Sequence, residues 1–266
     1  MIGQEKLQSW IKNIKISDIS HSLLLIGDKG CGKHLFSTMI SSKLGLDVVD
    51  ITECITYEYI EDIYQKALPA VYVINASEIS EKQQNAMLKF IEEPLSTCYI
   101  VILTNNKSEL LPTVINRCFP LEFERYTNEE LNQFININDD NKDLVLSVCR
   151  TPGKLLNVDS NSIKNCFDLC NKMIDKLNVA NYANTLTISD KINYKDEYDK
   201  VDTETFFNIF EDCLLKRYIF DLNVKLIDLY KETVKFHSKL KDSRLNKQYL
   251  VDNYLTSIWK LSRKEK

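Results

Sequence analysis

Leu23-Leu24-Leu25-Ile26-Gly27-Asp28-Lys29-Gly30-Cys31-Gly32-Lys33-His34 is the stretch on which the fold of this 266-residue chain turns. Gly27 to Lys33 meets the spacing GxxxxGK, an apolar run precedes it, and Leu35, Phe36, Met39 and Ile40 recur at helical spacing after it. A buried strand, a glycine-rich turn and a helix in that order predict a loop that cradles phosphate. Glycine lets successive backbone N–H groups turn inward and approach phosphate oxygens closely. Lys33 adds a positive charge at a helix N-terminus, where the macrodipole also favours anions. The expected binding residues are therefore Gly27, Gly30, Gly32 and Lys33. His34 stands where such loops carry a Ser or Thr that holds magnesium.

The second half of a hydrolytic site is a strand ending in Asp, to hold magnesium through water, and often Glu, to activate the attacking water. Here Val71-Tyr72-Val73-Ile74 ends in Asn75-Ala76. A neutral amide is a weaker metal anchor than a carboxylate, and alanine cannot act as a base. Glu78, three residues further on, is expected to start the next helix rather than to replace the base. With His34, Asn75 and Ala76 in these places, three parts of magnesium-dependent hydrolysis are missing together. The expectation is no intrinsic ATPase, with ATP binding itself left open.

Composition narrows the class. With 34 Lys plus Arg against 38 Asp plus Glu, the net charge of −4 gives no whole-chain footprint for nucleic acid, so any DNA contact must be local or made through partners. There is no charged-then-apolar leader and no apolar run near ~18 residues, so secretion and membrane spanning are not expected. The 8 cysteines are scattered without a CxxC pair, which fits a reduced, cytoplasmic compartment. Cys31 and His34 form a C-x-x-H pair with no second pair nearby, so zinc is not expected. Cys166 and Cys170, one helical turn apart, are read as core.

Apolar runs at Leu23–Ile26, Val48–Ile51, Val71–Ile74, Tyr99–Leu103 and Phe119–Phe123 are short, β-branched or aromatic, and mostly separated by helical patterns. This is the signature of a parallel sheet covered on both faces, an α/β fold. All 6 Gly and all 5 Pro lie at or before Gly153, and the remainder reads as helices throughout. Phe206, Phe210, Cys213 and Leu214 form one apolar stripe, and Leu222, Leu226, Leu229, Tyr230 and Val234 another. The polar stretch Ser189 to Asp202 reads as a loop. The expected organisation is a P-loop α/β domain over 1–125 and a small helical lid over 126–158. The lid opens with Thr127 capping a helix and Glu130 reaching back. An all-α domain follows over 159–266.

Further motifs carry a resemblance. Asn85-Ala86-Met87-Leu88-Lys89-Phe90-Ile91-Glu92-Glu93-Pro94 resembles the NALLKxLEEP signature of clamp-loader AAA+ proteins, and Leu110-Leu111-Pro112-Thr113-Val114-Ile115-Asn116-Arg117-Cys118 is similar to their LLPTIxSRC. Ile2-Gly3-Gln4 looks like the family's GQ box, and His21-Ser22-Leu23-Leu24 like its HAYLF segment. The likeness covers roughly the first half of the chain and is nearest to the delta-prime branch, whose nucleotide sites are commonly degenerate.

What the resemblance implies is an AAA+ module with a helical lid and an all-α collar. The chain would sit in a hetero-pentamer with gamma/tau-type and delta-type subunits that loads a sliding clamp on primed DNA. Arg117 would be offered in trans to ATP held by a neighbour. Asn105 falls at the sensor 1 position and Lys154 near sensor 2, where it could touch nucleotide or merely follow a helix-starting turn. Lys82 and Lys89 lie on the helix that the family turns towards DNA. Three features depart from the pattern: the four-cysteine zinc module of many delta-prime subunits is missing, with Cys54 alone in that interval, Asn116 replaces Ser, and His34 is typical of neither active nor inactive members. The alternatives are an active gamma-type ATPase, a less favoured P-loop small-molecule kinase, and a scaffold with no role in ATP chemistry.

Overall fold

The apolar runs become five parallel strands in the order β2-β3-β4-β1-β5: β1 Ser22–Ile26, β2 Val48–Asp50, β3 Ala70–Asn75, β4 Cys98–Thr104 and β5 Phe119–Glu122. A computed structural model describes residues 2–66, 68–135, 142–177, 203–222, 224–240 and 247–263. The described residues fall into two compact units, one taking in 1–135 and 150–156, the other 136–149 and 157–266. Residues 126–158 are thus shared between the two.

In the first unit the sheet is covered on both faces. Leu24, Tyr72, Ile74, Ile100 and Ile102 face Met87, Phe90 and Ile91, while Leu23, Leu25, Val71, Val73, Val101 and Leu103 face Leu7, Ile11, Phe36 and Ile40. Side chains alternate across a strand, so a sheet buried on both sides needs apolar residues at successive positions, which is why β1, β3 and β4 read as unbroken runs. The edges depart from that reading. Val48 and Val49 are exposed on β2, which stops at Asp50, and Phe119 is exposed on β5. An edge strand has one neighbour and less cover. Leu35, expected on the buried face of its helix, is 51% exposed.

The helices of this unit are α1 Glu5–Asn13, α2 Lys33–Leu44, α3 Tyr57–Lys66, α4 Glu81–Ala86, α5 Leu88–Glu92, α6 Pro112–Ile115 and α7 Asn128–Asn132. The capping box at α7 forms as the sequence indicates: Thr127 Oγ1 accepts from the Glu130 N–H, and the Glu130 carboxylate accepts from the Thr127 N–H. In the order of the chain, α8 Lys142–Val148 belongs to the second unit and α9 Pro152–Leu156 to the first.

The second unit continues with α10 Ser160–Leu177, α11 Thr203–Asp221, α12 Val224–Leu240 and α13 Lys247–Arg263. Phe206, Phe210, Cys213 and Leu214 are buried on α11, and Cys166 and Cys170 are buried on α10. The second stripe needs correction. Leu222 lies before α12 at a φ of 50° and is 75% exposed, and Val234 is exposed. The buried face of α12 is Leu226, Leu229, Thr233, Phe236 and His237. Two of these are polar residues whose partners lie on other helices. Thr233 Oγ1 bonds Tyr254 Oη at 2.6 Å, and His237 Nδ1 bonds Glu211 at 2.8 Å. A search for apolar periodicity alone passes over both. The expected loop at Ser189 to Asp202 lies outside the described residues.

Candidate functional site

The predicted phosphate loop follows β1, and α2 begins at Lys33 as the motif requires. Gly30 and Gly32 take φ of 84° and 101°, a left-handed region in which a Cβ would be strained. Lys33 is buried, and its ammonium donates to Gly27 O at 2.5 Å, Asp28 O at 3.2 Å and Asn105 Oδ1 at 3.0 Å. The lysine is thus satisfied by its own loop and by the end of β4. Burial holds its pKa below the ordinary lysine value, opposed by the nearby Cys31, Glu109 and Asp28. Burial likewise pushes the Cys31 thiol up, with Lys33 opposing.

Asn105 extends this network. Its Nδ2 donates to Ser77 Oγ at 2.9 Å, and its backbone N–H donates to Glu109 Oε2 at 3.1 Å. The same carboxylate oxygen accepts from Thr104 Oγ1 at 2.8 Å and from Ser77 Oγ at 3.1 Å. Glu109 is therefore the hub to which donors from the ends of β3 and β4 converge. The Asn75 amide donates to Glu78, and the Asn75 N–H donates to Thr52 Oγ1 at 2.9 Å. Glu78 does not start the next helix, as the sequence suggested. It closes a 3₁₀ turn, Ala76–Glu78, and folds back on Asn75, while the helix begins at Glu81 behind a Ser80 cap.

The loop is also held from outside by residues in the lid region. Thr151 Oγ1 donates to Lys29 O at 2.8 Å, Gly153 N–H to Gly30 O at 2.9 Å, and Tyr126 Oη to Cys31 O at 2.8 Å. A Cβ on Gly153 would meet the Gly30 Cα at 2.7 Å, so a glycine is required at 153 for this approach. Desolvation pushes the Tyr126 phenol up to about 12. Lys154 follows in α9, one residue beyond this contact. Beside the loop a cavity of about 350 Å³ is lined in part by Gly27, Asp28, Asn105, Phe123, Arg125 and Arg150.

These residues do not fit a magnesium-bound phosphate site. The His34 side chain is exposed, Asn75 is neutral and engaged with Glu78, and Glu109 Oε2 already accepts from three donor groups. Phosphate alone fits the loop glycines, on condition that Lys33 exchanges its present oxygens for phosphate oxygens. Among the described residues no group of three His, Cys, Asp or Glu is arranged to hold a metal ion, and no helix is long and apolar enough to cross a membrane.

Arg117 belongs to a different place. It follows α6 and precedes β5, whereas the phosphate loop follows β1. The two strands are parallel and in register, with Leu23 opposite Phe119 and Ile26 opposite Glu122. Arg117 and the loop therefore lie at opposite ends of neighbouring strands, separated by roughly 13 Å of strand at the usual rise per residue. Arg117 Nε pairs with Glu92, and Nη1 donates to Thr113 O at 2.7 Å. Lys89, on the same helix as Glu92, stands 3.8 Å from Glu61 and 5.2 Å above the Tyr64 ring, while Lys82 is exposed.

The structure therefore joins Gly27, Gly30, Gly32, Lys33 and Asn105 in one site, with Asn75 at its margin, His34 turned to solvent and Arg117 elsewhere. The sequence reading missed Glu109, Tyr126 and Thr151. Glu109 carries no motif, and its role arises when the ends of β3 and β4 come together. Thr151-Pro152-Gly153 was visible as a helix-starting turn, but the close approach of Gly153 to Gly30 was not.

A β1–loop–helix with strand order 2-3-4-1-5, in which β4 lies between the phosphate-loop strand and the β3 strand, defines a P-loop protein of the AAA+ class. Sequence comparison carries this further. The family model described as "DNA polymerase III, delta subunit" matches residues 64–127. DNA polymerase III subunit delta' of Haemophilus influenzae is 30% identical over 108 residues, covering 35% of this chain and 32% of that protein. DNA polymerase III subunit gamma of Buchnera aphidicola is 24% identical over 170 residues, covering 51% and 47%. A gamma subunit-related protein of Thermotoga maritima superposes at a TM-score of 0.43 with 19% identity, over 97% of this chain and 99% of that one. Over these regions the chain is similar to DNA polymerase III delta' and gamma subunits. The matched regions span about a third to a half of the curated relatives' length.

Proposed function

We propose that this protein is a delta-prime-like subunit of a cytoplasmic clamp loader. It would hydrolyse no ATP itself, and it would give Arg117 to ATP bound by a neighbouring gamma-type subunit, so helping to load a sliding clamp on primed DNA. In this reading residues 1–125 form the AAA+ module, 126–158 the lid and 159–266 the collar through which a hetero-pentamer with gamma/tau-type and delta-type subunits assembles. The observation that carries the reading is the position of Arg117. A guanidinium at the far end of β5 from its own phosphate loop cannot reach that loop's ligand, so a phosphate it serves belongs to another chain. A guanidinium aimed at a developing phosphoryl charge accelerates hydrolysis strongly and can be supplied in trans.

The internal network of Lys33, Asn105, Ser77 and Glu109 supports the absence of intrinsic turnover, because the groups that would face phosphate and metal are already paired. Titration of the isolated protein with ATP separates this reading from an active gamma-type ATPase, which the likeness to the Buchnera gamma subunit favours. Magnesium is expected to leave the affinity unchanged, with no turnover. Magnesium-dependent turnover that disappears in Lys33→Ala would contradict the proposal.

A further inference from the structure

We infer that Glu92 is the positioning residue for Arg117, and that together with the Thr113 carbonyl it aims the free edge of the guanidinium outward. The inference rests on the proposed role of Arg117 in trans and adds the device by which the chain keeps that side chain ready.

An arginine has several rotatable bonds, and an exposed one samples many rotamers unless it is held. Here two segments hold it. Glu92 comes from the end of α5, just before the turn into β4, and Thr113 from the first turn of α6, just before β5. The parallel pairing of β4 and β5 on either side of β1 brings the N-terminal ends of these strands to one side of the sheet. Glu92 Oε1 pairs with Nε, and Thr113 O accepts from Nη1. Nε and one Nη1 hydrogen are thereby committed, while Nη2 and the second Nη1 hydrogen have no protein partner among the described residues. With Nε anchored on one edge of a planar group, the opposite edge is the one presented. That edge has the two-pronged geometry that matches phosphate oxygens. The side chains of Arg117 and Glu92 are 38% and 43% exposed, so the presented edge is open to a neighbouring molecule.

Glu92 could instead act as a brake by neutralising the arginine, and the two roles predict opposite signs. As a positioner it raises the rate, because a held guanidinium needs less ordering in the transition state. As a brake it lowers the rate.

The test uses the complete complex, assembled from this chain and its own clamp-loader partners, with steady-state ATPase as the readout. Glu92→Ala is expected to lower kcat about tenfold with KM for ATP unchanged, since the nucleotide is held by the neighbour's loop. Glu92→Gln, which keeps the shape and an acceptor oxygen for Nε, is expected to retain most of the rate. In an Arg117→Ala background, Glu92→Ala is expected to change nothing further. Unchanged or raised kcat in Glu92→Ala, with Arg117→Ala still strongly impaired, overturns the positioning role and leaves the trans arginine standing. Full activity of Arg117→Ala overturns both. Complex assembly is checked by size-exclusion chromatography, so that a folding or assembly failure is distinguished from a loss of rate.

Discussion

The two ends of the neighbouring strands β1 and β5 each carry a cation, and the protein treats them differently. Lys33, beyond the C-terminal end of β1, is buried and donates to three oxygens of its own chain. Arg117, before the N-terminal end of β5, is more than one-third exposed and commits Nε to Glu92 and one Nη1 hydrogen to Thr113. A desolvated cation whose donors are all engaged must break bonds before it can act on a ligand. A cation that keeps donors uncommitted needs to break none. On the proposed reading the difference teaches that a phosphate-loop motif and a working phosphate site are separate properties, and that the positive charge offered to a phosphate lies at the opposite end of the sheet.

Breaking the Arg117 end should have the larger consequence. In the assembled complex, Arg117→Lys is expected to lower the ATPase rate on the order of a hundredfold, because an ammonium supplies charge without the planar fork. A rate near that of the unsubstituted complex would show that charge alone suffices and would blunt the comparison.

At the Lys33 end the effects should appear in stability rather than in rate. Glu109→Ala removes the acceptor shared by Thr104, Ser77 and the Asn105 N–H, and should destabilise the isolated protein by about 2 kcal/mol in urea unfolding. The ATPase rate of the complex should stay within about twofold of the original. A change well under ~0.5 kcal/mol would mean that the network around Glu109 is not what closes the site.

Tyr126→Phe is expected to have the smallest effect, about 1 kcal/mol, from loss of the hydrogen bond to Cys31 O. It also has a pH signature. The folded protein keeps this phenol neutral up to about 12, whereas the unfolded chain ionises near the ordinary value of 10, so its contribution to stability is lost as pH rises through that window. The stability of Tyr126→Phe should therefore fall less steeply above pH 10 than that of the original chain. Parallel curves would remove Tyr126 from the account.

Features set by local spacing were the most legible in the sequence. The phosphate loop, the Thr127–Glu130 capping box and the doubly covered strands β1, β3 and β4 each arise from residues close in the chain or from an unbroken apolar run. What was not legible depends on partners that the chain brings from afar. Glu109 becomes a hub because β3 and β4 end side by side. Glu78 folds back on Asn75 because a 3₁₀ turn, not a helix, follows β3. Thr233 and His237 join the buried face of α12 because Tyr254 and Glu211 pair with Thr233 Oγ1 and His237 Nδ1, and Val48 and Val49 are exposed because β2 is an edge. The positions of Arg117 and the loop in sequence could be read directly. Their placement at opposite ends of adjacent strands needed the register.

The central claim is that useful positive charge resides in Arg117 and not in Lys33, and a paired substitution tests it most directly. The ATPase rate of the assembled complex is measured with Arg117→Ala and, separately, with Lys33→Ala in this subunit alone. The account predicts a loss on the order of a thousandfold at the site served by Arg117, and a rate within about twofold of the original for Lys33→Ala. The reverse pattern, with Lys33→Ala impaired and Arg117→Ala active, would contradict it.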